Sequence, residues 1–109
     1  MLNVDIHSNK ETVSTALYNM DQAILLAKKQ PDKLLCLIIG YGSKGTSHKI
    51  HTAVIEKLQE YVKTKRIKGY ILGSKLDIFD LDYQKFPYKD KIPNIDKQRK
   101  NPGAVYVAV

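Results

Sequence analysis

The stretch from residue 34 to residue 51 sets the tightest limits on how this chain can fold. Leu34-Leu35-Cys36-Leu37-Ile38-Ile39 is an unbroken apolar run. It gives way to Gly40-Tyr41-Gly42-Ser43-Lys44-Gly45, three glycines at G-x-G-x-x-G spacing, and then to Thr46-Ser47-His48-Lys49-Ile50-His51. A short apolar run bounded by glycine predicts a strand covered on both faces, hence central in a sheet. The stripe Ile50, Val54, Leu58, Tyr61 and Val62 predicts a helix over about 48–64, with Thr46 or Ser47 as its N-cap. A strand, a glycine loop over 40–47 and a helix N-terminus together bring bare backbone N–H groups up to an anion.

The flanking sequence extends this unit on both sides. Leu2, Val4 and Ile6 alternate with Asn3, Asp5 and His7, the pattern of a half-buried strand. Ser8-Asn9-Lys10-Glu11 has the form of a capping box. Val13, Leu17, Met20, Ile24 and Ala27 trace the apolar stripe of a helix over about 10–29, which Pro31 closes. Residues 69–73 predict a third strand and 103–109 a last one. Residues 75–102 hold three prolines and a run of lysines and read as a long basic loop or flexible insertion. The expected fold is α/β (an α+β sandwich) in a single domain over 1–109. Its order is β-α-β-α-β-β, with a four-stranded mixed sheet and two helices. The strand–helix–strand units imply parallel pairing in right-handed crossovers, and the last strand is free to pair antiparallel.

Bulk properties narrow the function classes. With 109 residues the chain can bury one core without staples. The single Cys36 cannot form an internal disulfide, which suits a reducing cytoplasm. No signal peptide is expected, because Asp5 and His7 interrupt the opening residues, and no apolar run approaches the ~20 residues of a membrane helix. The net charge of +7 and a pI of about 9.5 fit a nucleic-acid, anionic-lipid or acidic partner, or simply a lysine-rich composition.

The glycine spacing is also that of a dinucleotide site, but here it follows the second strand. The residue 20 positions beyond Gly40, Glu60, falls inside a predicted helix rather than at a strand end. Thr46 after Gly45 rules out the phosphate loop of nucleoside triphosphatases, which needs lysine there. Two readings remain. One is an anion cradle built from loop amides, the helix dipole, Lys44 and Lys49; the other is a turn that packs strand on helix. Asp5 and His7, about 6.6 Å apart along one strand face, read either as an acid–base pair or as an exposed polar edge. Both features sit at the carboxyl ends of predicted parallel strands, where open α/β sheets bind ligands. Tyr41 could stack on a base. His7, His48 and His51 match no zinc spacing, and no cofactor is expected.

Four motifs in order resemble the Smr (small MutS-related) domain family. Val4-Asp5-Ile6-His7 resembles its first-strand Asp-Leu-His-Gly motif, and Ile38-Ile39-Gly40-Tyr41-Gly42 its His-Gly-x-Gly. Ile50-His51 with Val54 and Leu58 resembles its Leu-Arg-x-x-Val-x-x-x-Leu, and Pro102-Gly103-Ala104-Val105 the entry to its last strand. Ser8, Ile39 and His51 stand where the family has glycine, histidine and arginine. The resemblance implies a fold similar to the C-terminal domain of bacterial translation initiation factor three. It also implies binding to DNA or RNA and, in several members, endonuclease activity, with Asp5 and His7 in the positions of the proposed active residues.

The expected function is therefore a cytoplasmic nucleic-acid-binding protein that cleaves phosphodiesters. Its expected catalytic residues are Asp5 and His7; Gly40, Tyr41, Gly42, Ser43, Lys44, Gly45, Lys49 and His51 would form its phosphate and nucleic-acid site. The alternatives are a non-catalytic RNA- or ribosome-binding module and a small-nucleotide binder.

Overall fold

A computed structural model describes residues 1–6, 12–40 and 45–109, the side chains of 45–47 excepted. Four strands form one mixed sheet: β1 (Leu2–Asp5), β2 (Leu34–Ile38), β3 (Gly69–Leu72) and β4 (Ala104–Ala108), in the order β1-β2-β4-β3. The two long helices are α1 (Val13–Lys28) and α2 (Gly45–Lys63). Two short ones, α3 (Leu81–Lys85) and α4 (Asn94–Arg99), follow β3. The chain is α+β with the β-α-β-α-β-β order expected from its periodicities.

β1 and β2 pair in parallel, with Asp5 opposite Ile38, and the Ile6 N–H extends the ladder to the Ile38 carbonyl at 2.9 Å. β2 is interior to the sheet, as its unbroken apolar run demands. The second crossover does not make an adjacent pair, however. β4 inserts between β2 and β3 and pairs antiparallel with both. Its residues are buried on both faces, which a strand tolerates only when a layer covers each side.

On one face, α1 and α2 pack against Leu35, Leu37, Val105 and Val107 through Met20, Ile24, Val54 and Leu58. The stripe predicted for the first helix is the one that packs: Met20, Ile24 and Ala27 are buried, and Val13 and Leu17 lean on the same core. The helix starts later than expected. Thr12 is the N-cap, its hydroxyl accepting from the Thr15 N–H at 3.1 Å, so the capping box at Ser8–Glu11 is not the helix start and lies outside the described residues. α2 starts earlier than expected, at Gly45, so Thr46 and Ser47 fall inside the helix rather than at its cap. The helices are tied by Tyr61, 4% exposed, whose hydroxyl donates to Asp21 at 2.6 Å.

Residues 75–102 are not the flexible loop that their lysines and prolines suggest. They form the layer on the second face. Leu76, Tyr83, Phe86 and Ile92 bury against Leu34, Cys36, Ile71 and Tyr106. The Tyr106 hydroxyl, deep under this layer, donates to Asp96 of α4 at 2.5 Å. Burial, and then the Asp96 carboxylate, hold that phenol far above its ordinary range. Cys36, buried on the same face, is pushed up to about 11 by desolvation, so it stays a thiol at neutral pH. Lys75–Asp82 at 2.9 Å and Lys100–Asp77 at 3.2 Å fasten the outer surface, where exposed pairs contribute about 0–1 kcal/mol each.

Gly73 is where this layer leaves the sheet. A Cβ at that position would collide with the Asn101 carbonyl oxygen and lie 3.3 Å from that of Ala104. Neither backbone atom can yield without moving the turn into β4. Gly73→Ala is expected to lower stability by about 1–3 kcal/mol. Gly69→Ala, facing only the Pro87 ring at 3.2 Å, is expected to cost less. Urea midpoints at unchanged m-value report the difference.

Tyr61 supplies a pH signature. Burial first, then the bond to Asp21, raise its phenol to about 12, against ~10 for a free tyrosine. The folded state thus keeps a proton that the unfolded chain releases. Its contribution is complete below about pH 10 and is lost as pH rises towards 12. Tyr61→Phe is expected to flatten the fall in stability over that interval relative to wild type, read from denaturation midpoints at matched pH.

Candidate nucleic-acid interface

The parallel β1–β2 pair puts the carboxyl ends of both strands side by side, and α2 begins at the same edge. Asp5 is the last residue of β1 and is exposed. Its alternation with Val4 turns it to the face shared with Asn3, away from the helices. Asn3 lines a cavity of about 350 Å³ together with Cys36, Asp96, Arg99, Asn101 and Tyr106. Arg99, read in the sequence only as one of many basic residues, is thus brought over the β1 side of the sheet.

Gly40 is buried and takes a left-handed backbone (φ 77°), a conformation glycine enters without strain. It turns the chain out of β2 beneath a second turn, Asn101–Gly103. A Cβ on Gly103 would lie 3.2 Å from the Gly40 carbonyl carbon. The Ile39 N–H donates to the Gly103 carbonyl at 2.8 Å, and the Asn101 side-chain oxygen accepts from the Gly103 N–H at 2.9 Å. The turn into β4 therefore packs against Gly40 and holds Ile39 at the end of β2. Sequence reasoning placed Gly103 in the last strand and missed this role; the signal was Asn101-Pro102-Gly103, a turn signature just ahead of an apolar run.

Gly45 is the first residue of α2 rather than part of a longer loop. Lys49 lies in the first turns of that helix and is exposed; His51, two residues on, is half-buried. Ile50 between them enters the core. Ile39 is fully buried among α1 and α2 side chains. His7, Tyr41, Gly42, Ser43 and Lys44 lie outside the described residues. The described geometry thus brings Asp5, Gly40 and the start of α2 to one edge of the sheet. Such an edge can offer backbone N–H groups and the positive end of a helix dipole to an anion.

Compared with known proteins, the chain matches no family model, no curated protein and no solved structure. Among the described residues, no helix is long and apolar enough to cross a membrane.

Because Gly40 is both left-handed and packed under Gly103, Gly40→Ala is expected to cost about 1–2 kcal/mol from backbone strain alone. Thermal unfolding of the variant beside Gly103→Ala separates that strain from the simple loss of space.

Proposed function

We propose that this chain is a nucleic-acid-binding protein of the Smr type and that its reaction is phosphodiester cleavage. The observation that carries the reading is the in-register parallel pair, with Asp5 opposite Ile38. It sets Asp5 and the β2 exit at Gly40 on neighbouring strand ends, beside the N-terminus of α2. In this reading the amides of Gly40, Gly42 and Gly45, with Lys44 and Lys49, hold a backbone phosphate. Asp5 orients His7. His7 takes the proton from an attacking hydroxyl as that oxygen bonds to phosphorus. The bond from phosphorus to the leaving oxygen breaks, and the proton passes to that oxygen. A positioned acid–base group of this kind contributes about 10²–10⁴-fold in rate.

One observation favours a second reading, a non-catalytic RNA- or ribosome-binding module. Ile39, at the position where the resembled family has histidine, is 0% exposed and faces the helices. No polar group reaches the site from there.

The two readings separate in a cleavage assay on labelled single- and double-stranded RNA and DNA, with and without divalent cation. Wild type is expected to cut, His7→Ala to lose about 10²–10⁴-fold, and Asp5→Asn to lose less. Binding by all three proteins with no cleavage by any would remove the enzyme and leave the module.

A further inference from the structure

The net charge of this protein is not spread over its surface. Residues 28–33, 63–68 and 89–91 carry nine lysines and arginines against Asp32 and Asp90 alone; the rest of the chain holds nine cations and nine acids and is formally neutral. The whole net charge of +7 therefore belongs to three short segments.

The fold brings those segments to one edge. The first follows α1 and leads into β2; the second follows α2 and leads into β3. Both strands begin against the end of β4, with Leu34 and Gly69 each opposite Ala108. The Lys68 N–H donates to the Ala108 carbonyl at 2.8 Å, and the Val109 N–H to that of Lys33 at 3.0 Å, so Lys33 and Lys68 flank the β4 terminus. The third segment is laced onto the same edge. Lys68 donates to the Tyr88 hydroxyl at 3.0 Å, and Lys91 to the Asp32 carbonyl at 2.8 Å. This edge lies at the amino ends of β1–β3, across the sheet from Asp5 and Gly40. Five residues of β2 at about 3.3 Å each separate the two edges by roughly 16 Å.

Helix dipoles account for part of this pattern, because α1 and α2 both end here and their termini favour cations. Two half charges do not call for an excess of seven. The backbone adds a second observation. Two of the three left-handed non-glycine residues in the described chain are here, Lys33 (φ 53°) and Lys65 (φ 62°). Lys65 closes α2 where a glycine is usual: its N–H bonds to the Val62 carbonyl, and the Arg66 N–H to that of Tyr61. A left-handed lysine costs about 1–2 kcal/mol over glycine. The side chains are braced as well. Arg66 sits over the Tyr61 ring at 4.3 Å, and Lys91 over Tyr88 at 4.1 Å.

We infer that this edge is a docking surface for a nucleic-acid backbone, separate from the glycine-loop edge where cleavage is proposed. Braced cations on a fixed lattice suit the regular phosphates of a polymer better than the fluid headgroups of a membrane. The inference rests on the nucleic-acid reading but not on cleavage. A bound strand would be held at the basic edge and presented across the sheet to Asp5 and the loop.

The test compares two variants with the same net charge. One replaces exposed edge cations, Lys29→Gln, Lys63→Gln, Lys65→Gln and Lys68→Gln. The other replaces four cations elsewhere, Lys75→Gln, Lys85→Gln, Lys97→Gln and Lys100→Gln. Binding of labelled RNA and DNA is followed across a salt series, thermal unfolding confirms that both variants are folded, and anionic phosphatidylserine vesicles serve as the rival ligand. Wild type is expected to bind nucleic acid with a steep salt slope. The edge variant is expected to lose about 3 from that slope, at about 0.7–0.9 per phosphate contact, while the matched variant loses less than about 1. Equal losses in both variants would overturn the localised surface and leave nucleic-acid binding standing. No binding of nucleic acid by wild type, with or without vesicle binding, would overturn both.

Discussion

The structure depends on β4 being buried on both faces. A strand of Ala-Val-Tyr-Val-Ala placed between β2 and β3 joins the β1–β2 pair to β3 within one sheet. It does so by antiparallel ladders on each side. The position removes every β4 side chain from water, so each face of the sheet needs its own cover. α1 and α2 supply one. Among the described residues, the irregular chain between β3 and β4 supplies the other. The turn that feeds β4, Asn101–Gly103, closes on Gly73 and on Gly40. One strand insertion thereby fixes the second layer, the exit from β3 and the turn of the chain at Gly40.

What was legible in the sequence follows from this arrangement. The four strands and two long helices have clean periods, and the residues that set those periods, from Leu34 through Ile38 and from Met20 to Ala27, are the ones that pack. The second layer has no period. Leu76, Tyr83, Phe86 and Ile92 are spaced irregularly among lysines and aspartates, and helices of five and six residues show no stripe. Composition then pointed to a loop. The overlooked signal was in the last strand itself: Ala104, Tyr106 and Ala108 alternate with Val105 and Val107, so both faces are apolar, and an antiparallel strand of that kind needs cover on both sides. Helix ends were less legible still. Ser8 and Thr46 have the right chemistry for caps, but Thr12 caps α1 through its own hydroxyl, and α2 begins at Gly45.

The candidate site was legible as motifs at the carboxyl ends of two parallel strands, but not in the residues that other parts of the chain bring to it. Asp5 and the glycine run are far apart in sequence, and only the parallel pairing of β1 with β2 makes their strand ends neighbours. Asn101 and Gly103 entered that neighbourhood from the opposite end of the chain. Arg99 reached the β1 side through α4. None of these approaches leaves a trace in local spacing.

Charge was the property that composition described least well. A total of +7 suggests a protein that is basic everywhere, yet the sequence beyond three segments is neutral. Those segments meet because the helices of two strand–helix–strand units end at the same edge and the second layer folds back onto it. The same topology necessarily sends the helix N-termini, Gly40 and Asp5 to the other edge. An α+β sheet of this order thus separates the three basic segments from Asp5, Gly40 and the helix N-termini by the length of a strand. Attraction acts over about a Debye length of 8–10 Å and sets how a polyanion arrives. Chemistry acts over about 3 Å and decides what happens to one phosphate. The two requirements need not share a surface, and on the proposed reading the sheet sets the distance between them.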